Sequence, residues 1–121
     1  MKKIFLVEDD EFLIDIYITK LKESGFETEF AKDGKSALEF LKKEKPDLLV
    51  LDLVLPDIDG LDLLREIKKE DRFQSLPVII LSNLDKRLEE KDYAGLGVTK
   101  YLIKANHKPS EIVEEIKKII Q

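Results

Sequence analysis

Runs of four consecutive apolar residues, Ile4-Phe5-Leu6-Val7, Leu48-Leu49-Val50-Leu51 and Val78-Ile79-Ile80-Leu81, alternate along the chain with longer amphipathic segments. A run apolar at every position suits a strand covered on both faces. Residues 27–31 alternate and suit a strand nearer an edge, and residues 100–103 form a short fifth strand. Between these, residues 11–24 place Phe12, Leu13, Ile16, Tyr17 and Leu21 on one helical face, with Gly25 as the stop. Asp33-Gly34 caps a helix to about residue 43 with Ala37, Leu38 and Leu41 inward, and Pro46-Asp47 breaks it. Asp59-Gly60 opens a third helix, and residues 85–95 read as a weaker, charged helix ending at Gly95 and Gly97. Pro109-Ser110 caps a last helix carrying Ile112, Val113, Ile116, Ile119 and Ile120. Five βα units in succession predict an α/β fold with a parallel sheet, because each crossover must return over a face.

Right-handed crossovers put every strand's C-terminus on one edge, where open α/β sheets bind ligands. Glu8-Asp9, Asp52, Ser82 and Lys104 follow or end the first, third, fourth and fifth predicted strands. The acidity is concentrated accordingly. Residues 1–60 carry 9 basic and 15 acidic side chains, residues 61–121 carry 12 and 11, and the chain's net charge is −5. That balance argues against direct nucleic-acid or anionic-membrane binding. The absence of cysteine excludes a disulfide scaffold, a thiol nucleophile and a thiolate zinc site. The first apolar run meets Glu8 after four residues, too soon for a signal peptide or a membrane span, so a cytoplasmic protein is expected.

Converging carboxylates raise one another's pKa unless a cation neutralises them. With oxygen ligands the fitting ion is hard, and Mg²⁺ is the expected one. Lys104 adds a positive charge and Ser82 a hydroxyl, so the edge is suited to a phosphoryl group, with a carboxylate able to form an acyl phosphate.

Val7-Glu8-Asp9-Asp10, Leu51-Asp52-Leu53-Val54-Leu55-Pro56-Asp57-Ile58-Asp59-Gly60, Ser82, Gly97 and Tyr101-Leu102-Ile103-Lys104 together resemble the receiver domain of two-component response regulators. The D-x-x-x-P-x-x-D-G stretch, combined with the distant acidic pair and lysine, is a specific signature, and the resemblance spans essentially the whole chain. It implies a flavodoxin-like, doubly wound (βα)5 fold with strand order 2-1-3-4-5. Because the last predicted helix runs to Gln121, residues 1–121 are expected to be a single receiver domain with no effector domain. Asp52 would be the phosphoacceptor. Glu8, Asp9, Asp52 and the backbone carbonyl of Val54 would hold Mg²⁺, while Ser82 and Lys104 would bind phosphoryl oxygens. Tyr101 would be an aromatic switch following Ser82, or alternatively a packed sheet-edge aromatic. The implied donor is a phosphohistidine on a sensor histidine kinase or histidine phosphotransfer protein, and the receiver itself catalyses transfer and later hydrolysis. Output would pass to an unknown protein through the face of the fourth helix, fifth strand and fifth helix, in a monomer or a phosphorylation-dependent dimer.

Plainer roles are expected for other residues. Asp10 would only cap the first helix, Asp59-Gly60 would make a turn and cap, and His107 would be a solvated loop residue. Glu89-Glu90-Lys91-Asp92 would be a solvated helix face. Two positions depart from the receiver pattern. Ala105 stands where proline usually follows the lysine, so a trans bond and a differently shaped, longer loop are expected. Asn83 replaces a small residue beside the phosphoacceptor and predicts slow dephosphorylation. These departures leave open a pseudo-receiver, a binding module not phosphorylated in life. A haloacid dehalogenase-like phosphatase is rejected because Val54 stands where its second Asp is needed. A flavin-binding flavodoxin is disfavoured because Glu8-Asp9-Asp10 would repel phosphate.

Overall fold

The apolar runs become the strands of one five-stranded parallel sheet, in a computed structural model that describes residues 1–83 and 88–120. The elements are β1 (Lys3–Val7), α1 (Glu11–Glu23), β2 (Glu27–Ala31), α2 (Gly34–Lys43), β3 (Leu48–Leu51) and α3 (Gly60–Lys68). They continue with β4 (Val78–Ser82), α4 (Glu90–Leu96), β5 (Lys100–Ile103) and α5 (Pro109–Ile120). Single 3₁₀ turns occupy Asp71–Phe73 and Lys104–Asn106. The strand order is β2-β1-β3-β4-β5 with every pairing parallel, the doubly wound order expected.

Side chains alternate across each strand, so the sheet feeds two core layers. Ile4 and Leu6 pack with Ile14, Tyr17 and Leu21 of α1 and with Ile112, Val113 and Ile116 of α5. Phe5 and Val7 face the other way, into Ala37 and Leu41 of α2 and Leu63, Leu64 and Ile67 of α3. The three inner strands are covered on both faces, which is why β3 and β4 have no exposed residue. The edge strand β2 instead carries exposed Glu27, Glu29 and Phe30.

Three local expectations need correction. Phe12 is 73% exposed rather than inward, and Ile14 takes the buried place. With Asp10 fixing the helix start, α1 turns its Ile14–Tyr17–Leu21 stripe to the sheet, and Phe12 lies about 200° round the helix from Ile14. The fourth helix begins at Glu90, where the Asp92 carboxylate accepts the Glu89 N–H at 3.3 Å, and ends in Gly97 at φ +71°. Leu88 and Glu89 are therefore outside it, and the part of the expected helix at residues 85–87 lies outside the described residues. In α5, Pro109 is already helical; the Glu111 side chain accepts the Lys108 N–H at 2.7 Å and supplies the N-terminal partner.

Truncating a buried isoleucine removes contacts and leaves a void, so Ile14→Ala should cost about 2–5 kcal/mol in urea denaturation. Phe12→Ser should stay within about 0.5 kcal/mol of the parent protein. The opposite ranking would mean that α1 packs in a different rotation.

Candidate functional site

The parallel topology carries Glu8, Asp52 and Lys104 to one edge by continuing the backbone ladders just past the strands. The Glu8 N–H donates to Ala31 O at 3.0 Å, and the Asp52 N–H donates to Val7 O at 3.0 Å. Lys104 opens the 3₁₀ turn immediately after β5. Oxygen atoms from Glu8, Asp9 and Asp52 lie within 4.8 Å of one another. Glu8 and Asp52 are buried and Asp9 is exposed. A cavity of about 320 Å³ opens over them, lined also by Asp10, Leu13, Val54, Asn83 and Lys104.

Lys104 organises the charge. Its ammonium pairs with Glu8 Oε1 and, at 3.3 Å, with Asp52 Oδ2, and all three side chains are nearly inaccessible. The second oxygens are held by backbone donors: Glu8 Oε2 accepts from the Asp10 N–H at 3.2 Å, and Asp52 Oδ1 accepts from the Val54 N–H at 3.3 Å. Burial pushes the Glu8 carboxyl up to about 7, against the lowering effect of its Lys104 hydrogen bond and with help from the Asp52 charge. Burial pulls Lys104 down, but the Glu8 hydrogen bond and the Asp52 and Glu8 charges outweigh it, so its pKa is raised. Two buried carboxylates and one exposed one against a single ammonium leave an excess of negative charge. An all-oxygen set of this kind fits a hard divalent cation.

The other anticipated residues fall in varied places. Ser82 ends β4 and is fully buried. Tyr101 is buried in the layer shared with α2 and α3, and pairs with Ile80, two residues before Ser82. Neither lines the cavity, whereas Asn83 does. Val54 is half exposed at the cavity wall and bridges Asp59. Asp10 caps α1, accepting from Phe12 and Leu13 N–H groups at 2.9 and 3.2 Å. Asp59 caps α3 through the Leu61 N–H at 2.8 Å. Gly60 does more than turn the chain, since a Cβ there would stand 2.6 Å from both Asp52 O and Leu53 Cα. There is no cis peptide among the described residues, so the Lys104–Ala105 bond is trans as expected. Sequence reasoning missed Leu13 as a wall of the cavity and the contact of Asp57 with α2, whose signal would have been Gly34 at the helix start.

The chain belongs to the response regulator receiver domain family, which it matches over residues 4–117. It is 37% identical over 116 residues to the regulatory protein VanRc of Enterococcus gallinarum, covering 96% of this chain and 48% of that protein. The chain spans about half the length of the curated relatives it matches. Among solved structures it is similar to the CheY-like receiver domain protein of Methanospirillum hungatei, with a TM-score of 0.88 and 25% identity over 99% of this chain and 94% of that one. It is likewise similar to the Mn²⁺-bound form of the response regulator Rcp1, with a TM-score of 0.80, 30% identity, and coverage of 98% and 93%. No described helix is long and apolar enough to cross a membrane.

The raised Glu8 pKa has a definite stability consequence. A carboxyl that binds its proton more tightly in the folded state favours folding below its ordinary pKa of 4.5, and that contribution is lost as pH rises towards about 7. Thermal midpoints without divalent metal should therefore fall between pH 4.5 and 7 relative to Glu8→Gln, which cannot titrate. A constant difference between the two proteins across that window would contradict the assignment.

Proposed function

We propose that this receiver is a phosphorylation-activated signalling switch in which Asp52 takes a phosphoryl group in a Mg²⁺-dependent reaction. The observation that carries the reading is the near-buried Asp52 carboxylate at the end of β3, 3.3 Å from the Lys104 ammonium and clustered with Glu8 and Asp9. The donor is a phosphohistidine on a sensor histidine kinase or histidine phosphotransfer protein. An Asp52 carboxylate oxygen attacks phosphorus, the P–N bond breaks, and the histidine nitrogen departs with the electron pair. Glu8, Asp9, Asp52 and the Val54 carbonyl would hold the Mg²⁺. When bound, the ion offsets the charge of the carboxylates and of the transferring phosphoryl oxygens.

The protein's own groups do the rest. Lys104 exchanges its contact with Asp52 for one with a phosphoryl oxygen, keeping a positive charge where negative charge accumulates. Ser82, buried behind the cavity at the end of β4, moves towards the phosphoryl group to donate its hydroxyl to another oxygen, and Tyr101 follows that movement within the core. The change is read on the face formed by α4, β5 and α5 by a protein partner, as a monomer or a phosphorylation-dependent dimer. Residues 1–121 act as one receiver unit, working in the cytoplasm. Asn83 at the cavity wall restricts water's approach to the acyl phosphate and so slows hydrolysis.

Intact-mass measurement after incubation with acetyl phosphate and Mg²⁺ should show one added phosphoryl group, absent without metal and absent in Asp52→Asn. Lys104→Ala should slow phosphorylation by about 100-fold or more. Asn83→Ala should shorten the phosphoryl lifetime, and an unchanged lifetime would remove Asn83 from the mechanism. An unmodified wild type, even with a phosphohistidine donor, would favour a constitutive binding module instead.

A further inference from the structure

We propose that Asp57 is a positioning residue for this site: its carboxylate latches the loop that follows Asp52 onto the first turn of α2. The inference rests on the receiver reading above.

The loop between β3 and α3 is tied to the sheet at its start, where the Asp52 N–H donates to Val7 O at 3.0 Å, and is closed on itself at its end, where the Gly60 N–H donates to Leu53 O at 2.8 Å. An isolated bridge between Val54 and Asp59 closes its base. The tip is held by Asp57, whose Oδ1 accepts from the Gly34 N–H at 2.8 Å and whose Oδ2 accepts from the Lys35 N–H at 3.0 Å. Those N–H groups lie in the first helical turn and have no acceptor within the helix, and a carboxylate is favoured at that end of the dipole. The α2 helix already has a cap of its own, because Asp33 accepts from the Ser36 N–H at 2.7 Å. The second carboxylate is supplied from the phosphoacceptor's loop.

Shape supports the same conclusion. A Cβ at Gly34 would stand 2.3 Å from Ile58 Cγ2, so the helix start has no side chain where the loop tip packs. Gly34 and Asp57–Ile58 are complementary parts of one contact. Its mechanical effect falls on Val54, which forms the anchored base with Asp59, is joined to the anchored tip by Leu55 and Pro56, and carries a carbonyl that is a proposed metal ligand. With the tip released, the Val54–Asp59 bridge alone would hold this stretch, and binding the ion would carry the cost of ordering it.

The test is calorimetric titration of the full chain with Mg²⁺, beside the rate of phosphorylation by acetyl phosphate as a function of Mg²⁺. Asp57→Ala should weaken Mg²⁺ binding about tenfold. The same shift should appear in the Mg²⁺ needed for half-maximal phosphorylation, while the rate at saturating Mg²⁺ stays within about twofold. Asp57→Asn, which keeps one acceptor oxygen, should fall between. Leu41→Ala, which opens the core under the far end of α2, should lower the thermal midpoint and leave the Mg²⁺ Kd alone. An unchanged Kd in Asp57→Ala, or an equal change in Leu41→Ala, overturns the latch. A wild type phosphorylated normally alongside an unaffected Asp57→Ala removes the latch and leaves the receiver reading standing. A wild type that binds Mg²⁺ in an Asp57-dependent way yet takes no phosphoryl group does the reverse. A wild type with no Mg²⁺ binding removes both.

Discussion

One buried ammonium holds the functional edge of this protein together. Lys104 contacts Glu8 and Asp52, partners 96 and 52 residues away in the chain, so neither pairing exists until the sheet has formed. Because β3 and β5 are separated by β4, the lysine must pass the end of β4 to reach Asp52. A long side chain makes that reach possible, and the residue ending β4 is the small, fully buried Ser82. Strand order, side-chain length and the small neighbour are thus parts of one requirement.

The arrangement makes little sense as a stabilising device. Taking charges out of water costs several kcal/mol per ion, and a buried pair recovers that only with good geometry and further hydrogen bonds. Here one cation serves two buried carboxylates, and Glu8 responds by holding its proton up to about pH 7. A divalent cation would complete the charge balance against the carboxylates, and would leave the lysine able to meet an incoming anion. A site short of positive charge but already holding one ammonium is suited to gaining a metal ion and a phosphoryl group together.

Much of this was legible in the residues because strands covered on both faces must be apolar throughout. That constraint placed β1, β3 and β4, and the termini of those strands placed Glu8, Asp9, Asp52 and Ser82 on one edge. The edge elements gave weaker signals. Residues 11–21 contain enough apolar side chains to draw two stripes, and only docking against Ile4 and Leu6 selects Ile14 over Phe12. In α4, with no fully buried residue, the start is set by the local Asp92–Glu89 hydrogen bond rather than by periodicity. The Asp57 contact was invisible for a different reason: it joins residues 22 and 23 apart in the chain through backbone N–H groups, which leave no mark on side-chain pattern. Gly34 and Gly60 mark such close approaches, but a glycine beside an aspartate reads first as a turn.

In the proposed reaction, the group that takes the phosphoryl is the carboxylate facing Lys104. Borohydride reduces an acyl phosphate to an alcohol with release of phosphate, so treating the phosphorylated protein with it and mapping the peptides locates the acceptor directly. Asp52, and only Asp52, should be converted to homoserine. Conversion of Glu8, Asp9 or a residue outside the cavity would contradict it.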